Sequence, residues 1–146
     1  MKKASSRLLL LDVNVLVALA WPNHQFHAAA IRRLERSRDR WASCALTELG
    51  FIRLSSNPAA VTPAKRPAEA AALLKMLKQD PLHVYLDSLP SPAGDKVMGG
   101  FERIFGSKQV TDAYLLALAR QHRARLLTFD ARLRALGEPE TEVISD

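Results

Sequence analysis

The uninterrupted run Leu8-Leu9-Leu10-Leu11, ended by Asp12, constrains this chain more than any other stretch. Its apolar residues do not alternate with polar ones, so it suits a strand covered on both faces, as strands in parallel sheets are. A strand with one wet face would alternate. Residues 125–129 repeat the pattern late in the chain, and shorter apolar segments stand at 41–45 and 83–86. Between them the apolar spacing is helical. Helices are expected at 13–20, from Asn23 as N-cap onward, at 46–55, 67–79 and 110–122, and at 131–136 with Gly137 closing the last. Residues 95–105 should be partly helical around Gly99-Gly100, and 141–144 should form an edge strand. Short buried strands alternating with helices predict an α/β domain, a mainly parallel central sheet between helical layers.

Two helices carry more detailed expectations. In the helix after Asn23, Phe26, Ala30, Ile31 and Leu34 should turn inward. Arg32, Arg33, Arg36, Arg38 and Arg40 would then lie outside, as a solvated face or as contacts to phosphate. In 46–55, the spacing of Leu46, Leu49 and Ile52 marks the expected buried stripe.

A chain of 146 residues fits one domain spanning 1–146, and 48% apolar with 25% charged residues is ordinary for a globular protein. Lys2 and Lys3, the apolar stretch 8–20 and Ala18-Leu19-Ala20 imitate a secretory leader. Asp12 and Asn14 interrupt it, so the segment reads as a buried strand entering a helix. No apolar run approaches the ~20 residues of a membrane span. The single cysteine, Cys44, excludes an internal disulfide and reads as a small buried hydrophobe in a cytoplasmic protein. The net charge of +6 favours a polyanionic partner.

In open parallel sheets, sites lie outside the carboxyl ends of the strands. Four carboxylates fall there or in first helical turns: Asp12, Glu48, Asp112 and Asp130. Singly, Asp12 and Asp130 read as N-caps, and Glu48 and Asp112 as charges favoured by a helix dipole. Together, four negative charges on one sheet edge would repel one another unless a cation sat among them. An oxygen-only ligand set suits Mg²⁺ or Mn²⁺. Such a centre supports phosphodiester hydrolysis without a nucleophilic side chain.

The segments Leu-Asp-Val-Asn-Val-Leu (11–16), Thr-Glu-Leu-Gly (47–50), Val-Thr-Asp-Ala-Tyr-Leu-Leu-Ala-Leu-Ala (110–119) and Leu-Leu-Thr-Phe-Asp (126–130) carry these acids. In that order and spacing the chain resembles the PIN-domain ribonucleases, and most of all the VapC toxins of VapBC toxin–antitoxin pairs. Trp-Pro-Asn-His (21–24), Phe26-His27 and Phe-Ile-Arg-Leu-Ser-Ser-Asn-Pro (51–58) are similar to that group as well. The resemblance implies a three-layer α/β/α fold and a Mg²⁺-dependent endoribonuclease, with Mn²⁺ able to substitute. It implies cleavage of structured RNA, a tRNA or ribosomal RNA, and a VapB-type antitoxin that covers the site. It further implies a homodimer. By position, Asp12, Glu48 and Asp112 would be the main acidic triad and metal ligands, with Asp130 a peripheral fourth. Asn14 and Thr128 match polar positions that orient a carboxylate or a bound water.

Arg120, Arg123, Arg125, Arg132 and Arg134 belong to the site-bearing segments and are candidates for holding RNA. His24 and His27 have one-face helical spacing but lack the companions of a zinc set; His83 and His122 stand in no pattern. Trp21 and Trp41 read as packing residues, and Glu138, Glu140, Glu142 and Asp146 as a solvated acidic edge. Two rival readings stand beside the nuclease. One is a catalytically silent PIN-like module that binds RNA or protein. The other is a receiver-like phosphotransfer domain, which would want paired aspartates after the first strand and a lysine at a late strand end. Residues 125–129 contain no lysine.

Overall fold

The computed structural model describes residues 7–137 and 139–145. Its strands are β1 (Leu8–Leu11), β2 (Arg40–Cys44), β3 (His83–Leu86), β4 (Arg125–Thr128) and β5 (Thr141–Val143). They form one sheet in the order β3-β2-β1-β4-β5, and every neighbouring pair is parallel. The helices are α1 (Val13–Ala20), α2 (His27–Glu35), α3 (Ala45–Ser55), α4 (Pro67–Leu77) and α5 (Val110–Gln121). Short 3₁₀ turns occupy Met98–Phe101, Ser107–Gln109 and Ala131–Ala135.

The pleat of β1 sorts the core into two halves. Leu9 and Leu11 point to one face, where they pack with Trp41, Leu127 and residues of α1 to α4 such as Leu16, Ala30, Phe51 and Leu74. Leu10 points to the other face, against Leu126, Leu115, Leu118 and Leu133. Both faces of the sheet are therefore covered, which is why its central strand reads as continuous leucine. This is the expected α/β/α arrangement. No described helix is long and apolar enough to cross a membrane.

The chain leaves β1 outward through β2 to β3, then returns to the other flank through β4 to β5. The direction of winding reverses between β1 and β4, so their carboxyl ends frame a crevice.

Two local expectations are corrected. Asn23 does not cap α2; Phe26 stands at its N-cap, and the Asn23 side-chain amide donates to the Thr62 carbonyl at 3.1 Å. A competing turn delays the helix: the Phe26 N–H donates to His24 Nδ1 at 3.0 Å, and the Phe26 ring stacks on Phe129 at 4.9 Å. In α3, Leu49 is 56% exposed and the buried residues are Thr47, Phe51 and Ser55. The buried stripe is disguised because its polar members have partners. Thr47 Oγ1 accepts the Cys44 N–H and donates to the Cys44 carbonyl, and Ser55 Oγ accepts the Trp21 indole N–H at 3.1 Å. Gly50 lets α3 approach α1, since a Cβ there would come within 2.7 Å of Val13 Cγ2.

Candidate active site

Asp12 follows β1 directly, and its N–H continues the sheet by donating to the Leu127 carbonyl at 2.9 Å. It caps α1 through a 2.8 Å bond from the Val13 N–H to Oδ1. Its second oxygen accepts the Thr128 hydroxyl at 2.7 Å, so β4 sets the orientation of the carboxylate that β1 supplies. Asp12 is only 8% exposed. Burial raises its pKa above the ordinary value, the Thr128 and Val13 bonds hold it down, and the Asp130 charge raises it further.

Asp112 lies in the first turn of α5. Burial is the main cause pushing its pKa up to about 6; the charges of Asp12 and Asp130 add to it and Arg132 opposes it. Asp130 follows β4, and its N–H donates to Thr128 Oγ1 at 3.1 Å. Its carboxylate accepts the Arg132 backbone N–H and two guanidinium N–H groups, each at 3.0 Å. The guanidinium bonds are the largest cause holding the Asp130 pKa below the carboxylate range. The fold thus gathers Asp12, Asp112 and Asp130 at the crevice, with Thr128 bonded to two of them.

Glu48 stands apart from this group. It lies in the first turn of α3, and Lys78 Nζ reaches its two oxygens at 2.9 and 3.1 Å. The buried Ser43 hydroxyl donates to Oε2 at 2.7 Å and also meets His83 Nε2 at 2.7 Å. His83 packs on Trp41 with ring centroids 4.4 Å apart, and Lys78 Nζ lies 4.6 Å from the centroid of Tyr85. Ser43, Lys78 and His83 were not visible as site residues in the sequence. Ser43 sits inside an apolar strand, and nothing in the spacing links positions 43, 48, 78 and 83.

The remaining candidates separate by position. Asn14 is exposed in the first turn of α1. Arg132 is at the centre, and the exposed Arg134 shares its 3₁₀ turn. Arg120 lies eight residues beyond Asp112 on α5, about 12 Å along the axis at 1.5 Å per residue. It pairs with Glu140 at 2.7 Å. Arg123 and Arg125 lie just before and at the start of β4, the end of that strand opposite the crevice. His27 Nδ1 engages the Ala18 carbonyl at 2.7 Å, and Trp21 and Trp41 are buried.

The acidic edge is not simply solvated. Glu142 on β5 is clasped by the buried Arg33 of α2, with Arg36 and Arg125 nearby at 3.6 and 3.8 Å. Arg33 also bonds Ser37 and Asp39, so it is an internal ion-pair residue rather than part of an outer basic face. Glu138 and Asp146 lie outside the described residues.

Among the described residues, no three acidic, histidine or cysteine side chains are close enough to make a complete ligand set. Mg²⁺ does not require one, because it keeps several waters and uses one or two carboxylates beside substrate phosphates. Asp12 and Asp112, close, hard-oxygen donors that lack a cation of their own, fit that requirement.

The family profile of the PIN domain matches residues 9–139. The chain is 44% identical over 138 residues to ribonuclease VapC38 of Mycobacterium tuberculosis, covering 92% of this chain and 94% of that one. It is 41% identical over 126 residues to ribonuclease VapC39 of the same organism, covering 85% and 89%. Among solved structures, a toxin–antitoxin complex from Klebsiella pneumoniae superposes with a TM-score of 0.64 at 17% identity, over 92% of this chain and 96% of that one. Mycobacterium tuberculosis VapC20, described as a sarcin–ricin loop cleaving toxin, superposes with a TM-score of 0.61 at 16% identity, over 90% and 97%. The structures share the fold, and the sequence relatives share the fold together with most of the chain at high identity: the protein belongs to the PIN-domain family, among its VapC ribonucleases.

Proposed function

We propose that this chain is the toxin of a type II toxin–antitoxin pair, a Mg²⁺-dependent endoribonuclease that cleaves structured RNA, either a tRNA or a ribosomal RNA. The observation that carries the reading is the meeting of Asp12, Asp112 and Asp130 at the switch between β1 and β4, where burial and mutual repulsion push the Asp112 pKa up to about 6. Carboxylates perturbed this way in a crevice mark functional sites. Asp12 and Asp112 are the residues that would hold the ion. When bound, it would polarise a phosphoryl oxygen, favour ionisation of water and neutralise the charge that develops during displacement.

The chain's own residues prepare that chemistry. Thr128 fixes the rotamer of Asp12, and the α1 N-terminus caps its other oxygen. Arg132, 86% exposed on the rim, can leave Asp130 for an incoming phosphate. The neighbouring solved complexes include VapBC2 of Rickettsia felis bound to a fragment of its promoter and FitAcB of Neisseria gonorrhoeae. They support an antitoxin partner for this chain, and family membership supports a homodimer acting in the cytoplasm, where those RNAs reside. The exposed apolar side chains of Leu89, Met98, Phe105 and Val110 give such a partner something to cover.

The test is cleavage of total tRNA and ribosomal RNA by the purified protein in Mg²⁺ or Mn²⁺, beside EDTA and Asp12→Asn. Discrete products that vanish in both controls are expected. An active Asp12→Asn protein, or cleavage indifferent to EDTA, would refute the assignment. Metal binding without cleavage would favour the silent binding module.

A further inference from the structure

The carboxylates near the crevice differ in whether they carry a cation already. Asp12 is bonded only by neutral donors, the Thr128 hydroxyl and the Val13 N–H. Asp112 has no ion pair among the described residues. Glu48, by contrast, holds Lys78 on both oxygens at 2.9 and 3.1 Å while also accepting Ser43 at 2.7 Å. That pair is sheltered, with Glu48 and Lys78 side chains only 17% and 28% exposed. Its ammonium is further held over the Tyr85 ring at 4.6 Å. Sheltered pairs of this kind resist screening and are costly to open, because each partner would be left unpaired. Asp130 also has a cation, but Arg132 is 86% exposed and can swing away cheaply.

We propose that Lys78 is the resident counter-cation of Glu48, and that the centre accordingly takes a single divalent ion, at Asp12 and Asp112. Lys78 occupies the electrostatic role a second ion would otherwise fill. Glu48 is then a positioned, charge-balanced carboxylate rather than a ligand of the ion, which departs from the four-carboxylate set expected from the sequence. The inference rests on the functional reading above for the identity of the Asp12–Asp112 pair.

The experiment is Mn²⁺ titration of the RNA-free protein, counted by electron paramagnetic resonance of the unbound ion and by calorimetry, so that no catalytic readout is involved. Wild type should bind one ion. Asp112→Asn should lose it, and Glu48→Gln should keep it. Lys78→Met, shown to be folded by its thermal transition, should bind a second ion, which Glu48→Gln added to it should remove. Two ions of comparable affinity in wild type would overturn the proposal. So would a folded Lys78→Met protein that still binds one, or a Glu48→Gln protein that binds none. Should Lys78→Met not fold, the wild-type count and the Glu48→Gln result decide the matter alone. Absence of any binding by wild type would instead remove the reading on which the proposal rests.

Discussion

Two groups of carboxylates, at different ends of the same sheet, are treated in opposite ways. At the carboxyl ends of β1 and β4, Asp12 and Asp112 are pushed above the ordinary carboxylate range, chiefly by burial and further by neighbouring negative charge. Toward the amino ends, Glu142 is held below its ordinary value, chiefly by its bond from Arg33. Asp39, next to β2, is also lowered: burial would raise it, but the Arg7 N–H, Ser37 and Arg33 outweigh that. Both environments are partly desolvated. What differs is the company each carboxylate keeps. The arginine-clasped group is a finished structural joint, uniting α2, the start of β2 and β5. The crevice group is an unfinished one, costly to the folded protein until a cation or phosphate-bound ion arrives. Unbalanced charge that a fold tolerates at one place, while balancing it elsewhere, points to function at that place.

This contrast can be broken in order of expected effect. Asp12→Asn should lower RNA cleavage by about a thousandfold or more, as loss of a central electrostatic group does. Its melting temperature should hold, because the asparagine carbonyl can still accept a bond at the cap. Arg33→Met should cost about 3 kcal/mol in urea denaturation, since it strands two sheltered carboxylates. Activity per folded molecule should be unchanged.

Asp112→Asn should have the opposite sign. A carboxylate whose folded pKa is raised to about 6 from 3.8 favours folding while protonated, and that contribution is lost as pH climbs between those values. The metal-free wild type should therefore lose stability across that window, and the variant should not. At pH 7.5 the variant should gain on the order of 1 kcal/mol, after discounting for solvent screening of a partly exposed group. Mg²⁺ should stabilise wild type and leave the variant unmoved. On the acid side the arginine joint governs. Glu142 and Asp39 contribute fully above their ordinary values of 4.5 and 3.8, and lose that contribution as pH falls through their lowered ones. The smallest effect is expected for Arg36→Ala. This side chain is 68% exposed and lies 3.6 Å from Glu142, so removing it should cost less than about 0.5 kcal/mol.

The sheet was legible in the sequence because its strands are short, apolar and bounded by turns, and burial on both faces leaves a plain signature. The acids at the crevice were legible because each directly follows a strand or opens a helix. What escaped were pairings between distant positions. Glu142 and Arg33 are 109 residues apart, and Glu48 and Lys78 are 30 apart. No periodicity records such contacts, so Glu142 read as a solvated edge and Glu48 as an equal member of the acidic set. The stripe of α3 escaped for a related reason. Thr47 and Ser55 look polar until their hydroxyl partners are known, so the apolar Leu49 was given a place in the core that it does not occupy.

The bond between Thr128 and Asp12 joins positions 116 residues apart, and β1, made first, lies against β4, made late. A ribosome synthesising this chain therefore carries Asp12 long before the strand that orients it has emerged. Until residue 128 clears the exit tunnel, the crevice has only one wall, and the nascent chain holds no competent centre. A protein whose proposed substrates include the machinery of translation is thus kept harmless to the ribosome making it by the order of its own strands, and a partner has until late in synthesis to meet it.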